Sequence, residues 1–343
     1  AASDVYKRQA ICRLTGMEVS NASHYDGATS LAEAVLLSLD SVRDERARIV
    51  MAPSVHPHYR SVAETYLLGT DVKVMTPANP YLAASDLMDY VDEETAALVN
   101  QTPSFLGIVE DLQNIADRLH DRGALLIVVT DPISLGLFRP PGELGADVVV
   151  AEGQPLGIAP SFGGPSVGIF ATRKAFIRRL AGRLVGQTID ADGNRGYVHT
   201  LATREQHIRR ANATSNICTN AARGALAATV YVATLGDAGL RRVAELCFHK
   251  AHYAAEQLGS IPGIIVNDAR PETSFFREFV LSLPQSADRV HRALREHHAI
   301  DCGLPLGRFY PEHDNKLLVA VTEMNTRAGI DQFAAALREI ASE

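Results

Sequence analysis

Two segments of this chain carry residues of the types that bind an anion or move a proton. From Ser23 to Thr29 the chain reads S-H-Y-D-G-A-T, a helix start of small and hydroxyl-bearing residues. Backbone N–H groups at such a start are open to an anion, as in phosphate-binding α/β enzymes. Asp131 directly follows the apolar run L-L-I-V-V-T, which predicts a carboxylate at the end of a buried strand.

A third segment is rich in glycine and proline, which allow a ligand or another part of the backbone to approach closely. Between Asp147 and Phe170 the sequence contains five glycines, three prolines and few charges. Such a loop admits a ligand or another backbone, because glycine has no Cβ and proline restricts its own φ. It is equally typical of a tight connection between strands. The helix start also has a second interpretation, a buried helix capped by Ser23 or Asp26 without a ligand. The residues alone leave these alternatives open.

Short apolar strands alternate with helices through the first two thirds of the chain. The predicted strands are 48–52, 71–75, 97–100, 125–130, 147–151 and 167–171. The predicted helices begin near residue 28 and then cover 57–68, 85–91 (capped by Ser85) and 109–122. This alternation predicts a mostly parallel sheet covered on both faces, with ligands at the carboxyl ends of its strands. Asp131 and the 147–170 loop would lie at that edge.

The last third of the chain has a different order of elements. We predict a basic helix from Arg173 to Arg183 and an irregular loop over 185–200. A cluster of small polar residues, Thr214-Ser215-Asn216, follows. This cluster either binds a carboxylate or phosphate or caps the next helix. A long helix over 237–258 is followed by strands at 264–266, 278–283 and 316–321 and helices at 287–297 and 330–340. The predicted domains are therefore a large α/β domain, 1–235, and a small α+β domain, 236–343.

Composition excludes several classes of protein. The chain has 343 residues, 46% apolar and 21% charged, with a net charge of −7, which disfavours sequence-independent binding to nucleic acid. No apolar run approaches the roughly 20 residues that cross a bilayer. The four cysteines (Cys12, Cys218, Cys247 and Cys302) form no C-x-x-C pair, so we expect no disulfide scaffold, no metal site and a cytoplasmic location. The motifs of zinc proteases, serine hydrolases, P-loops and Rossmann dinucleotide sites are absent from the sequence.

A large, mostly parallel sheet followed by a smaller α+β domain resembles the layout of fold-type I pyridoxal-phosphate enzymes. In these enzymes a helix start holds the phosphate, a strand-end Asp pairs with the pyridinium nitrogen, and a later lysine forms the Schiff base. Gly27-Ala28-Thr29 could supply the phosphate-binding helix start, and Asp131 could supply the carboxylate that pairs with the pyridinium nitrogen. The lysine is missing from the expected loop, since the lysines of the chain are Lys7, Lys73, Lys174, Lys250 and Lys316.

Six long motifs carry a resemblance to a known family. They are N-A-S-x-Y-D-G-A-T-x-L-A-E-A, S-V-H-P-x-Y-R, T-D-P-I-S-L-G, E-G-Q-P-L-G-I-x-x-S-F-G-G-P, G-R-L-V-G-Q-T-x-D and T-R-E-Q-H-I-R-R-x-x-A-T-S-N-I-C-T-N. From about Ile11 to its end the chain resembles the P-protein of the glycine cleavage system, in particular its subunit 1, or alpha subunit.

The resemblance implies a function shared between two chains. P-protein decarboxylates glycine on pyridoxal phosphate and passes the aminomethyl group to the lipoyl arm of H-protein. In the two-subunit form, two copies of each subunit are expected, and subunit 2 carries the cofactor on its lysine. That lysine falls on Pro155 here, so no catalytic residue is expected in this chain, which would be inactive alone. The vestigial or interface candidates are Ser23, Tyr25, Asp26, Gly27, Thr29, Asp131, Gln154, Gly163 and Gly164.

Some features depart from the family pattern. The N-terminal segment with the motif T-x-Y-T-P-Y-Q-P-E is absent, so we expect a truncated chain whose residues 1–9, without a signal peptide or initiator Met, are not native. Ala211 and Asn212 replace a usual E-K pair, and His24 replaces an apolar residue. Two other hypotheses compete with the shared enzyme: an autonomous pyridoxal-phosphate enzyme with an unusual lysine, and a structural subunit that docks H-protein through the basic segment.

Overall fold

The computed structural model describes residues 2–42, 46–213, 215–217 and 221–341. Ala1, Thr214 and Cys218, which entered the sequence predictions, lie outside these residues. In the described part of the chain the helices are α1 (Ala2–Thr15), α2 (Gly27–Ser41), α3 (Pro57–Tyr66), α4 (Ile115–Asp121), α5 (Gln206–Arg209), α6 (Ala222–Gly259), α7 (Ala287–His298) and α8 (Arg327–Ala341). None of them is long and apolar enough to cross a membrane.

The strands form two main sheets and a hairpin. They are β1 (Val19–Ser20), β2 (Arg48–Met51), β3 (Lys73–Met75), β4 (Thr95–Gln101), β5 (Leu125–Thr130), β6 (Val148–Glu152), β7 (Gly168–Thr172), β8 (Leu184–Ile189), β9 (Arg195–Thr200), β10 (Ile265–Val266), β11 (Glu278–Ser282), β12 (Leu304–Pro305) and β13 (Lys316–Ala320). The six strands predicted in the first two thirds of the chain correspond to β2 to β7, and β5 matches its predicted range.

The chain divides into two compact units. The first contains Ala1–Thr102 and Glu110–Leu240, and the second contains Pro103–Val109 and Arg241–Glu343. The predicted boundary at residue 235 falls a few residues earlier and leaves the 103–109 segment in the first domain. The sequence prediction could not assign that segment to the second unit, because the assignment depends on pairing with distant residues such as Ile108 with Phe275. The division into a domain of residues 1–235 and a domain of residues 236–343 stays a prediction.

The first unit is built on a seven-stranded sheet of order β1-β7-β6-β5-β4-β2-β3. Strands β2 to β6 pair in parallel, and β7 and β1 add antiparallel strands at one edge. Residues of β4, β5 and β6 are almost fully buried, as expected for strands covered on both faces. The parallel strands therefore bring the residues after β5 and β6 to one edge of the sheet.

Helix α2 packs unusually close to β6 and β7. Asp26 caps its N-terminus: the Asp26 carboxylate accepts from Thr29 N at 2.7 Å, and Thr29 Oγ1 accepts from Asp26 N at 3.2 Å. At Gly168 in β7, a Cβ would lie 2.3 Å from Ser30 Oγ and 2.4 Å from the Asp26 carbonyl oxygen. The close approach therefore requires glycine in the strand.

The second unit contains a four-stranded antiparallel sheet of order β10-β11-β13-β12. Its core is formed by the last part of α6, by α7 and α8, and by the sheet, and includes Leu258, Phe279, Leu294, Leu317 and Leu337. The predicted strands and helices after residue 260 are all present, with bounds that differ by one to three residues.

Two predictions between residues 173 and 200 were wrong. The basic segment is not a helix, because only Lys174–Phe176 forms a short 3-10 turn. Residues 177–179 form a turn, and the end of the segment contacts the 21–22 segment, where the Arg183 carbonyl accepts from Ala22 N at 3.0 Å. The segment over 185–200 is not irregular, since β8 and β9 pair along its length. Asp190 Oδ1 accepts from Asn194 N at 2.8 Å and so orders the turn between them.

The bounds of several helices also differ from the predicted ones. The helix predicted over 109–122 is reduced to α4, which begins after Asn114 in the left-handed region (φ 67°). The segment near Ser85 is the 3-10 helix Ala84–Tyr90, and it has no side-chain cap. Helix α6 begins at Ala222, and the predicted start at 237 marks its bend at Gly236 (φ 59°). Helix α1, absent from the prediction, includes most of the segment expected to be non-native, and the buried Lys7 donates to the Ala22 carbonyl at 2.9 Å.

We predict that Gly168→Ala destabilises the first unit by about 2–3 kcal/mol, because the added methyl group overlaps Ser30 and Asp26. Gly196→Ala in β9 is the matched control, since the nearest atom to its Cβ is Thr188 Cγ2 at 3.7 Å. Urea unfolding of both variants measures the effect. Equal unfolding midpoints for the two variants would contradict the close packing of α2 on β7.

Candidate functional site

The carboxylate of Glu152 lies at the N-terminus of α2. Glu152 ends β6, and its Oε2 accepts from Gly27 N at 3.0 Å. Its Oε1 accepts from Gln154 N at 2.8 Å, from Ser166 Oγ at 3.1 Å and from Val167 N at 3.4 Å. A negative group is favoured here by the unpaired N–H groups and by the helix dipole. The helix start predicted to seat an anion is therefore in contact with an anion of the chain itself.

The phenol of Tyr59 fills the space beside Gly27. A Cβ on Gly27 would lie 2.2 Å from Tyr59 Oη. Burial raises the pKa of the Tyr59 hydroxyl, and the nearby carboxylates of Glu152, Asp26 and Asp131 raise it further. The hydroxyl therefore stays protonated at neutral pH and lies among three carboxyl groups from three different elements.

Asp131 follows β5 and shapes the next turn. Its Oδ1 accepts from Ile133 N at 2.9 Å, and its carbonyl oxygen accepts from Ser134 Oγ at 2.7 Å. This is the Asx-turn geometry that Asp commonly adopts at a strand end. The residue thus has a structural function, and its predicted place near the helix start is reflected in its influence on Tyr59.

The loop after β6 holds the position where the resemblance expects a lysine. Gln154 Nε2 donates to the Ile158 carbonyl, and the Leu156 N–H donates to the Gly153 carbonyl at 3.0 Å. Pro155 lies half-buried within this turn. Farther along the loop, Gly163 has φ 105° and no atom lies within 4 Å of its Cβ position.

The remaining candidates are divided between the helix start and the protein surface. Asp26, Gly27 and Thr29 form the N-terminus of α2. Ser23 is fully buried, and Tyr25 lies near Tyr66, where burial, Glu33, Asp26 and Tyr25 together raise the pKa of that phenol. At Gly164 the nearest atom to a Cβ would be Ser166 N at 3.9 Å. Thus the structure brings together Asp26, Gly27, Asp131 and Gln154 but not the two loop glycines.

Glu33 is a buried carboxyl group that the sequence did not single out. It lies on α2, only 3% exposed, and its Oε1 accepts from Ser215 Oγ at 2.5 Å. Its Oε2 has no hydrogen-bond partner among the described residues. Burial raises the pKa of Glu33 to about 7, although the hydrogen bond from Ser215 acts in the opposite direction.

Sequence reasoning missed Glu152, Tyr59 and Glu33. Each was part of a quoted motif: E-G-Q-P-L-G contains Glu152, S-V-H-P-x-Y-R contains Tyr59, and L-A-E-A contains Glu33. A polar side chain in a motif otherwise made of small and apolar residues was the available signal. The contact partner of each was not available, because Gly27 and Glu152 are 125 residues apart.

The residues at the helix start do not fit a phosphate group. The N–H of Gly27 already donates to Glu152, and the neighbouring charges are negative. The loop after β6 carries Pro155 at the position where the resemblance expects the Schiff-base lysine. Within the described part of the chain, no three His, Cys, Asp or Glu side chains are arranged to hold a metal ion.

Comparison with known proteins gives consistent matches. The family model described as glycine cleavage system P-protein matches residues 6–337. A probable glycine dehydrogenase (decarboxylating) subunit 1 of Thermomicrobium roseum is 52% identical over 339 residues, which cover 98% of this chain and 75% of that protein. The protein of the same name from Rhodospirillum centenum is 48% identical over 337 residues, covering 96% of this chain and 73% of the relative.

Solved structures show the same similarity. A crystal structure of glycine decarboxylase (P-protein) in inhibitor-bound form has a TM-score of 0.91 and 41% identity, covering 99% of this chain and 75% of that chain. An alanine–glyoxylate aminotransferase from Nostoc has a TM-score of 0.68 at 18% identity, covering 99% of this chain and 86% of the other, and indicates the fold alone. The predicted fold class, the fold-type I pyridoxal-phosphate α/β fold with a smaller C-terminal α+β part, is confirmed.

We predict that Glu33→Gln changes how stability depends on pH. The folded chain holds the Glu33 proton more tightly than the unfolded chain, so wild-type stability falls as pH rises from 4.5 to about 7. This pKa difference corresponds to about 3 kcal/mol. The variant should match the wild type near pH 4 and exceed its unfolding free energy by up to about 3 kcal/mol near pH 8.

Urea unfolding at both pH values measures this difference, and Glu64→Gln is the control because Glu64 is an exposed glutamate on α3. A Glu33→Gln variant that is less stable than the wild type at the higher pH would show that the ionised carboxylate stabilises the fold.

Proposed function

Because the chain belongs to the glycine cleavage system P-protein family, we propose that it is subunit 1 of a glycine dehydrogenase (decarboxylating) and is active only together with a second, homologous subunit. The complete enzyme decarboxylates glycine and transfers the aminomethyl group to the lipoyl group of H-protein. The observation that supports this division is Pro155, which stands in the loop after β6 where a Schiff-base lysine is expected. A proline side chain offers no amine for an imine.

Three of the five lysines have acceptors of their own, which supports a cofactor on the partner subunit. Lys7 donates to the Ala22 carbonyl, and Lys250 donates to the carbonyls of Glu323 and Asn325. Lys316 pairs with Asp268 at 2.7 Å. Each of these ammonium groups is held by acceptors of its own unit. We therefore assign no chemical step to pyridoxal phosphate on this chain and propose that subunit 2 carries the cofactor.

We propose a cytoplasmic assembly of two copies of each subunit. In it, the candidates Ser23, Tyr25, Asp26, Gly27, Thr29, Asp131, Gln154, Gly163 and Gly164 are remains of an ancestral cofactor site or parts of the interface. For the helix start the vestigial interpretation is favoured, since the N–H of Gly27 already donates to Glu152 Oε2.

The docking hypothesis for the basic segment has less support. Arg173 Nε lies 3.3 Å from Asp147 Oδ1, and Arg179 Nε lies 3.2 Å from Asp40 Oδ2. Two of its arginines are thus engaged within the first unit, which reduces the charge available to an acidic partner. Binding of H-protein through this segment stays a proposal that charge reversal at Arg178 would test.

Reconstitution tests the shared activity. We predict that the full-length chain, mixed with the lysine-bearing subunit, pyridoxal phosphate and lipoylated H-protein, releases CO2 from carboxyl-labelled glycine. Each subunit alone should give only background release, because one lacks the lysine and the other lacks its partner. An inert carrier protein at equal concentration replaces this chain in the control. CO2 release that is the same with and without this chain would contradict the proposal.

A spectroscopic test addresses the autonomous enzyme. We predict that the purified chain with pyridoxal phosphate develops no absorbance near about 420 nm, where a protonated Schiff base absorbs, and retains no cofactor after borohydride reduction. The lysine-bearing subunit treated in the same way is the positive control. A reduced pyridoxyl group found by mass spectrometry on one defined lysine of this chain would support the autonomous enzyme instead.

A further inference from the structure

We propose that Glu152 is a built-in anion that occupies the N-terminus of α2 and keeps phosphate groups out of this chain. The proposal deepens the proposed function and rests on it, because exclusion is useful only if the cofactor belongs on a partner subunit. It assigns a function to a residue that takes no part in the chemistry.

The hydrogen-bond donors around Glu152 are those that a phosphate would need. Helix α2 is 15 residues long, and its first N–H, from Gly27, donates to Glu152 Oε2. Ser166 Oγ and the Gln154 N–H donate to Oε1. A backbone N–H at a helix start, a hydroxyl and a loop N–H together make a typical anion-binding set. Here the carboxylate takes all three, so a phosphate must first displace it.

The neighbouring charges act in the same direction. Asp26 and Asp131 lie close enough to Tyr59, as Glu152 does, to affect its hydroxyl. A phosphate dianion entering this space would face like charges at short range in a partly buried setting, where Coulomb repulsion is weakly screened. A single carboxylate carries less charge than a phosphate and satisfies the donors with less repulsion.

The space in front of the helix is also filled. Tyr59 Oη lies against Gly27, and the Glu152 backbone N would be 2.8 Å from a Cβ at that glycine. The side chain of Glu152 extends from the end of β6 to the N-terminus of α2 and occupies the space that a phosphate would take. Shortening this side chain should therefore open a cavity lined by hydrogen-bond donors, which is the condition for anion binding.

The test measures binding of inorganic phosphate to the full chain. Thermal unfolding is recorded in about 20 mM phosphate and in chloride of equal ionic strength for the wild type, Glu152→Ala, Glu152→Asp and the control Glu143→Ala. We expect phosphate to raise the midpoint of Glu152→Ala by about 3 °C and that of the other proteins by less than about 1 °C. Glu143 is an exposed glutamate of the same unit, so its variant controls for the lost charge.

Two results would overturn the proposal: a wild-type midpoint that rises with phosphate as much as that of Glu152→Ala, or no phosphate effect on the folded alanine variant. If circular dichroism shows that Glu152→Ala does not fold, Glu152→Ser is used with equilibrium dialysis of labelled phosphate, and absence of binding to it overturns the proposal equally. No glycine, partner or cofactor enters the assay, so its failure is separate from failure of the decarboxylase proposal.

Discussion

The short distance between α2 and the two strands beneath it is the constraint on which the candidate site depends. Gly27 at the helix start and Gly168 in β7 leave no room for a Cβ, so the helix lies closer to the sheet than ordinary side chains allow. This approach brings the first N–H of the helix within hydrogen-bond distance of the end of β6. The Asp26 cap, the Tyr59 phenol and the carboxylate at the strand end then share one small volume.

A carboxylate can replace a phosphate at such a place without changing the fold. Both groups accept hydrogen bonds from backbone N–H groups and both are favoured by the helix dipole. The internal carboxylate has the further advantage that it is already attached to the sheet, so no entropy of association is lost. Under the proposal made above, the architecture of a cofactor-binding fold is preserved while a side chain takes the place of the ligand, and Pro155 in the adjoining turn stands where the resemblance expects a lysine.

The sequence predicted the parts of this protein that depend on local patterns. Buried apolar runs located the strands of the main sheet, and the helix start was found from Asp26 and its small neighbours. It could not predict the bond between Gly27 and Glu152, which joins residues far apart in the chain. The β8–β9 hairpin was missed because, after the buried Leu184 and Val185, its strands are mostly polar and lack the apolar alternation of a buried sheet. Helix α1 was missed because charged residues, including the buried Lys7, interrupt the pattern of apolar residues on its buried face.

The position of β1 determines the order in which this protein can assemble. β1 pairs with β7, and His24 pairs with Gly168 and stacks on Phe170 at a ring distance of 5.0 Å. During synthesis the residues of β1 leave the ribosome before those of β7, so they have no strand to join until β7 has emerged. Such closure between distant segments is slow, because the chain loses entropy before it gains contacts. β1 and the helix start that follows it can therefore make their native contacts with β7 only after all strands of the main sheet have been synthesised, although they precede the other strands in the chain.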